Sequence, residues 1–363
     1  MNIMLFSRIL AKTGVGNHID TLSDGLRKQG HNVIVVSGTQ DIKLRNESVR
    51  FIKVDTLSRN PMKVMKTILH IHSIIKENSI EIVHCHHRVA AIYMRLYNIF
   101  YKTPYVYTLH SHNIPHDFLH RKLTFVGEKA IGVSSDVSNF LIEKLKVPSD
   151  KVATILNGVD NTKLLRMTEE EKICVKKEWG IPEDNKVVVM HSRIDEVKNH
   201  LLVVEAINQL SPEERKGVSI VCSGEKKGIY YDRVVETINH YGIADNFIFV
   251  GWTDTSKILG IADFLFLPSF KEGFPLSVVE AFFVGVPVAR SKTGGFYDMK
   301  YCLPISSSDP SDMVDIIRKT LLYGTNEYKS IVDEAHKYAE ENLTVTEMVK
   351  NTVKVYNEVC VQK

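Results

Sequence analysis

Residues 2–37 read NIMLFSRILAKTGVGNHIDTLSDGLRKQGHNVIVVS, and this stretch decides the fold class. Asn2–Phe6 is a short apolar run, and Thr13-Gly14-Val15-Gly16 is a glycine loop. His18 to Lys28 carries Ile19, Leu22 and Leu26 at helical spacing, and Gly30 stands where a helix ends. Val33–Val36 is then an all-apolar strand of the kind buried in a sheet covered on both faces. Strand, helix and parallel strand in that order require a right-handed crossover.

The alternation continues outward from this unit. Strands are expected at 49–54, 80–84, 105–109, 131–133 and 152–156, with helices at 62–77, 90–101, 123–130 and 135–145. Residues 161–185 are polar and charged and read as a hinge. Strands then recur at 187–190, 218–222, 247–250, 264–267 and 287–289, with helices at 201–210, 230–241, 256–261 and 276–283. Val345, Val349, Val353 and Tyr356 predict a terminal helix over 346–361 that packs back across the hinge. The expected architecture is α/β: two tandem Rossmann-like domains facing a central cleft. The first spans 1–165 and takes in the terminal helix at 346–363; the second spans 166–345. Ligands in such sheets sit beyond the carboxyl ends of the strands, so the chemistry belongs on the loops there.

Length and composition agree. At roughly 100–200 residues per domain, 363 residues give two domains. With 44% hydrophobic and 25% charged residues, a disordered chain, a collagen and a disulfide scaffold are excluded. Five widely spaced Cys without a CxxC fit free thiols in a reducing cytosol. Met1–Leu10 lacks a signal-peptide layout, and no apolar run is long enough to span a bilayer. The net charge of +3 conceals an asymmetry. Residues 1–160 hold 21 Lys and Arg against 13 Asp and Glu, a net of +8, and the remainder is −5. The basic half predicts an anionic partner or membrane surface. Segments 59–66 and 93–102 mix Lys and Arg with Met, Tyr and Phe, as bilayer-interface helices do.

Pro268-Ser-Phe-Lys-Glu272-Gly273-Phe274-Pro275-Leu276-Ser277-Val-Val-Glu280-Ala281 holds the densest chemical signal. It leaves a strand and enters a helix, with Pro275 expected in the first turn. The N–H groups of Phe274, Leu276 and Ser277 would form an anion site reinforced by the helix dipole. Glu280, one turn in, can reach a diol beside a bound phosphate, and Glu272 a second polar group. Arg193 and Lys198, on the loop after the first strand of the second domain, can converge on a diphosphate. The glycine loop at Gly14 and Gly16 allows backbone to approach an anion. Ile19 nevertheless breaks G-x-G-x-x-G, and no acidic residue ends the second strand, which counts against NAD. The histidines His84, His86, His87, His110, His112, His116 and His120 lack zinc-ligand spacing, so no metal is expected. His110 ends a strand and can bond a sugar hydroxyl or support charge build-up.

Taken in order, Asn157-Gly158-Val159-Asp160, Arg193-x4-Lys198, Gly251-Trp252, Glu272-x7-Glu280 and Thr293-Gly294-Gly295 resemble the retaining family-4 glycosyltransferases of the GT-B fold. The resemblance runs from Gly14 to the terminal helix. It implies a nucleotide-sugar co-substrate and no cofactor, with Arg193, Lys198 and the helix start at 274–277 on the diphosphate. It further implies Glu280 on the ribose, Glu272 on the donor sugar, and Gly251-Trp252 around the base. Gly14 would meet the diphosphate, and His110 the sugar near its reacting carbon. A UDP- or GDP-linked hexose or N-acetylhexosamine would pass to a glycan, lipid-linked in bacterial surface polysaccharide synthesis, at the cytoplasmic face of a membrane. This sequence departs from the family at Thr13, where the family often has Gly, and at Phe296-Tyr297-Asp298, where Pro-Glu usually follows. A nucleotide-sugar epimerase of the same fold is the alternative. A glycoside hydrolase using Glu272 and Glu280 is disfavoured by the adjoining phosphate-type site, and nucleic-acid binding by the lack of a basic-aromatic module.

Overall fold

The computed structural model describes the whole chain except Arg59, Asn113, Leu165, 323–327 and the last two residues. It forms two compact units, Met1–Val159 with Asn342–Lys363, and Asp160–Glu341.

The first unit is built on β1 (Asn2–Phe6), α1 (Gly14–Lys28), β2 (Asn32–Ser37), β3 (Arg50–Lys53), α2 (Pro61–Glu77), β4 (Ile82–Cys85), α3 (Arg88–Phe100), β5 (Tyr105–Leu109), α4 (Phe118–Lys122), β6 (Lys129–Gly132), α5 (Ser135–Glu143) and β7 (Val152–Thr154). Its seven strands are parallel in the order β3-β2-β1-β4-β5-β6-β7. The second unit has α6 (Glu169–Glu178), β8 (Lys186–His191), α7 (His200–Asn208), α8 (Pro212–Lys216), β9 (Val218–Ser223), α9 (Ile229–His240), β10 (Phe247–Gly251), α10 (Thr255–Gly260), β11 (Phe264–Leu267), α11 (Leu276–Val284), β12 (Val288–Ser291), β13 (Leu303–Ile305) and α12 (Ser311–Ile316). Its parallel sheet runs β10-β9-β8-β11-β12-β13. Both sheets reverse direction beside their first strand, the switch point at which Rossmann-like sheets open a ligand crevice. Then come α13 (Lys329–Asn342) and α14 (Val345–Val361).

The central strands are apolar because helices cover both faces: every residue of β4, β5, β9, β11 and β12 is buried. Ile3, Leu5, Ile19, Leu22 and Val35 pack with Met348, Val349 and Val359 of α14 into one core. Each buried aliphatic side chain contributes roughly 1.5–3 kcal/mol. Helix α1 lies close to α14 at Gly25, where an added Cβ would come within 2.5 Å of Val349 and 2.8 Å of Val345. Among the described residues, no helix is long and apolar enough to cross a membrane.

Three expectations need correction. The helix predicted over 123–130 is absent, and α4 instead starts after Asp117, whose carboxylate accepts from Leu119 N–H. Residues 127–128 lead into β6 beside β5: Gly127 takes φ +70° against the Tyr105 carbonyl, and Glu128 N–H donates to that carbonyl at 3.0 Å. Apolar spacing alone does not register that contact. Second, the predicted hinge contains α6, started by a capping box in which Thr168 and Glu171 satisfy each other's backbone N–H groups. Third, the glycine loop is helix: α1 begins at Gly14, because the Thr13 hydroxyl caps it by accepting from Gly16 N–H at 3.2 Å.

Candidate active site

In the second unit, the loop between β11 and α11 is held on three sides. Phe270 N–H donates to the Val197 carbonyl at 2.8 Å, Ser291 Oγ–H to the Ser269 carbonyl at 2.5 Å, and Asn199 Nδ2–H to the Pro268 carbonyl at 3.4 Å. From this loop Glu272 Oε1 meets Lys198 Nζ at 2.6 Å, with the two side chains only 9% and 16% exposed. Sequence spacing predicted that Lys198 faces an anion; the anion it meets inside the chain is Glu272. Arg193 is more exposed and pairs with Asp195 at 3.1 Å.

Pro275 is the residue before the first turn of α11 rather than within it. The first N–H groups of the helix are therefore those of Leu276 and Ser277, which have no carbonyl one turn back to bond. Glu280 lies on the next turn. Burial, and then the charge of Asp254, push its carboxyl up to about 7. Its Oε2 stands 4.0 Å from Nε2 of His191, whose ring burial drives down to about 4. Both shifts favour the neutral form, and His191 is neutral near pH 7, so this approach is not an ion pair. The His191 ring is pinned by the Ser223 hydroxyl at 2.7 Å and the Thr255 hydroxyl at 3.1 Å. The sequence reading gave no role to His191, Ser223 or Thr255; their only signal is that each stands at or just beyond the end of a strand. Asp254 caps α10 by accepting from Ser256 N–H at 2.8 Å.

The sequence reading also overlooked Arg290, which is fully buried. Its guanidinium donates to the carbonyls of Thr293 and Gly294, at 3.2 and 2.8 Å, and to the Thr293 hydroxyl. This fixes the Thr293-Gly294-Gly295 turn against the loop, where Gly294 lies so near the Glu272 and Gly273 carbonyls that a Cβ would collide. Phe274 is buried beside the turn. Gly251 ends β10 at φ +74°, and Trp252 follows it half exposed. The structure thus places Glu272, Gly273, Phe274, Pro275, Leu276, Ser277, Glu280, Arg193, Lys198, Gly251 and Trp252 in one unit, on loops and helix starts that follow strands.

In the first unit, Gly14 opens α1 in open space, whereas Gly16 packs on the Ala11 carbonyl, where no side chain would fit. The histidines do not gather as the sequence grouped them. His87 Nδ1 meets the Ser7 hydroxyl at 2.7 Å, and His120 pairs with Asp117. His84 is held between the Tyr356 hydroxyl and the Thr108 hydroxyl, each at 2.6 Å. His86 Nδ1 faces His110 Nε2 at 3.2 Å, and His18 of α1, which the sequence reading left out, packs edge-on to His110 at 4.8 Å between ring centres. Burial lowers the pKa of all four rings His18, His84, His86 and His110, so they are neutral near pH 7.

Comparison with known proteins follows this division. Residues 12–163 match the model for Glycosyltransferase Family 4, and residues 172–301 the model for Glycosyl transferases group 1. An uncharacterized glycosyltransferase of Methanocaldococcus jannaschii is 24% identical over 371 residues, covering 94% of each chain. The Escherichia coli UDP-Gal:alpha-D-GlcNAc-diphosphoundecaprenol alpha-1,3-galactosyltransferase is 27% identical over 269 residues, 69% of this chain and 68% of that one. In fold, the chain is similar to HepE of Anabaena, solved in complex with UDP, with a TM-score of 0.86 and 17% identity over 99% of this chain and all of that one.

Proposed function

Because this chain belongs to the GT-B glycosyltransferases, with a family-4 unit followed by a group-1 unit, we propose that it moves a hexose or N-acetylhexosamine from a UDP-sugar, with retention of configuration, to a lipid-linked glycan during surface polysaccharide synthesis. The observation that carries this is the pairing of Lys198 and Glu272 at 2.6 Å beside the start of α11, with the buried, protonatable Glu280 one turn further on. That arrangement offers a cation and free N–H groups to a diphosphate, and two carboxyl groups to sugar hydroxyls.

In this proposal Arg193, Lys198 and the N–H groups of Leu276 and Ser277 receive the charge that builds on the departing nucleoside diphosphate, with no metal at that point. Glu280 takes the ribose hydroxyls and Glu272 those of the donor sugar; Gly251 and Trp252 frame the base. His110 and Gly14 keep the sugar and diphosphate contacts that the family resemblance gives them. A membrane-bound acceptor is supported by Met62, Met65 and Leu69, exposed on α2 along with Lys63 and Lys66, and by Phe100, exposed at the end of α3. Arg59 of that segment lies outside the described residues. The named activity of the Escherichia coli relative supports the lipid-diphosphate acceptor and the UDP donor.

The test is product analysis. Incubation with UDP-sugars and a short lipid-diphosphate glycan should extend the glycan by one sugar in the donor's own anomeric configuration, read by mass spectrometry and proton NMR. An isomerised nucleotide-sugar formed without acceptor would replace this proposal with the epimerase alternative.

A further inference from the structure

Three imidazoles converge in the first unit, His86 facing His110 and His18 beside Asn157. His18 comes from α1, His86 follows β4 and His110 follows β5, and one nitrogen from each lies within 4.8 Å of the others. Among the described residues, Nε2 of His86 is buried with no hydrogen-bond partner, and the buried His18 ring has no partner at full hydrogen-bond geometry, with the Asn157 side chain beside it. Leaving a buried polar group unsatisfied is costly, so buried imidazole nitrogens short of partners at one place call for a ligand. His84 packs against His86 at 4.1 Å between ring centres, tilted by 31°, but both its nitrogens are engaged by Tyr356 and Thr108. It therefore fixes the His86 ring and is not itself a ligand, as outer-shell groups fix the ligands of metal centres.

Neutral imidazole nitrogens gathered at one place are what a borderline-soft cation binds once it displaces the N–H proton between them; a hard cation such as Mg²⁺ or Ca²⁺ requires oxygens. Nitrogens on a tetrahedral ion at about 2.0–2.1 Å lie about 3.3 Å apart, and His86 Nδ1 and His110 Nε2 already stand at 3.2 Å. We propose that His18, His86 and His110 form a three-imidazole site for a divalent first-row transition ion of the Zn²⁺ class. Its fourth position is open to an oxygen such as a hydroxyl. Binding is dative, with no change of oxidation state. The site lies in the first unit and shares only His110 with the donor contacts proposed above.

The full-length chain, stripped with a chelator, is titrated with Zn²⁺ alone, and with Co²⁺ as a visible probe. One ion per chain, a raised unfolding temperature and the d–d bands of four-coordinate Co²⁺ are expected. X-ray absorption of the Zn²⁺ form should show three imidazole nitrogens at about 2.0–2.1 Å. His18→Gln, His86→Gln and His110→Gln should each weaken binding at least tenfold, and His116→Gln with His120→Gln should leave it unchanged. No uptake, a shell of oxygens only, or uptake lost in the His116/His120 variant and kept in the other three would overturn the proposal. X-ray absorption of the unaltered chain decides even if a variant fails to fold, and none of these measurements depends on sugar transfer.

Discussion

Glu280→Gln should stabilise the protein at pH 8 while abolishing its reaction. In the folded chain the Glu280 carboxyl is raised from 4.5 to about 7, first by burial and then by Asp254. The folded state holds a proton that the unfolded chain releases near pH 4.5, so this group makes stability fall as pH rises between about 4.5 and 7. Above pH 7 the full penalty applies. At about 1.4 kcal/mol per pH unit the rise corresponds to roughly 3 kcal/mol. The side chain is 21% exposed, and water reaching it reduces this to roughly 1–3 kcal/mol. Gln keeps the shape and removes the charge. At about 2–4 °C per kcal/mol for a unit of this size, its unfolding temperature should exceed that of the unaltered chain by roughly 2–12 °C at pH 8, with almost no difference at pH 4.5. Calorimetry or circular dichroism over pH 4.5–8 measures this, and the other titrating groups cancel in the difference. An unaltered or lower unfolding temperature for Glu280→Gln at pH 8 refutes the assignment of a buried carboxyl kept at a cost in stability. A stabilised variant with full activity refutes its role in binding the donor.

Three further outcomes follow. Lys198→Ala should leave Glu272 buried without its partner and destabilise by roughly 1–3 kcal/mol; adding Glu272→Ala should recover part of that loss, so a double-mutant cycle by urea unfolding showing no coupling would contradict the pairing. Gly25→Ala should cost about 1–3 kcal/mol by forcing α14 away from α1, read in the urea midpoint. Tyr356→Phe removes a hydrogen-bond partner from buried His84 and should cost about 1–3 kcal/mol; an unchanged midpoint would mean that the bond contributes nothing.

Much of the fold was legible in the sequence, because buried parallel strands are continuous apolar runs: 105–109 and 264–267 match β5 and β11 residue for residue. Short or polar elements were not. The strand β13 has three residues, and α6 has a single buried residue, Val175, so neither shows a period. On the site, a loop that leaves a strand and opens a helix signals anion binding, which exposed Glu272 and Glu280. Long-range partners leave no local mark: Tyr356 lies 272 positions from His84, and nothing near it in sequence signals that bond. His18 was overlooked for the same reason, since on a helix it reads as one more polar residue.

Release of nucleoside diphosphate tests the central claim most directly. Purified protein is offered UDP-, GDP- and ADP-sugars, each with and without a short lipid-diphosphate glycan. We expect release from a UDP-sugar, stimulated by the glycan and lost in Glu272→Ala and Arg193→Ala variants that still fold. No release from any donor, together with no nucleotide that raises the unfolding temperature, would contradict it.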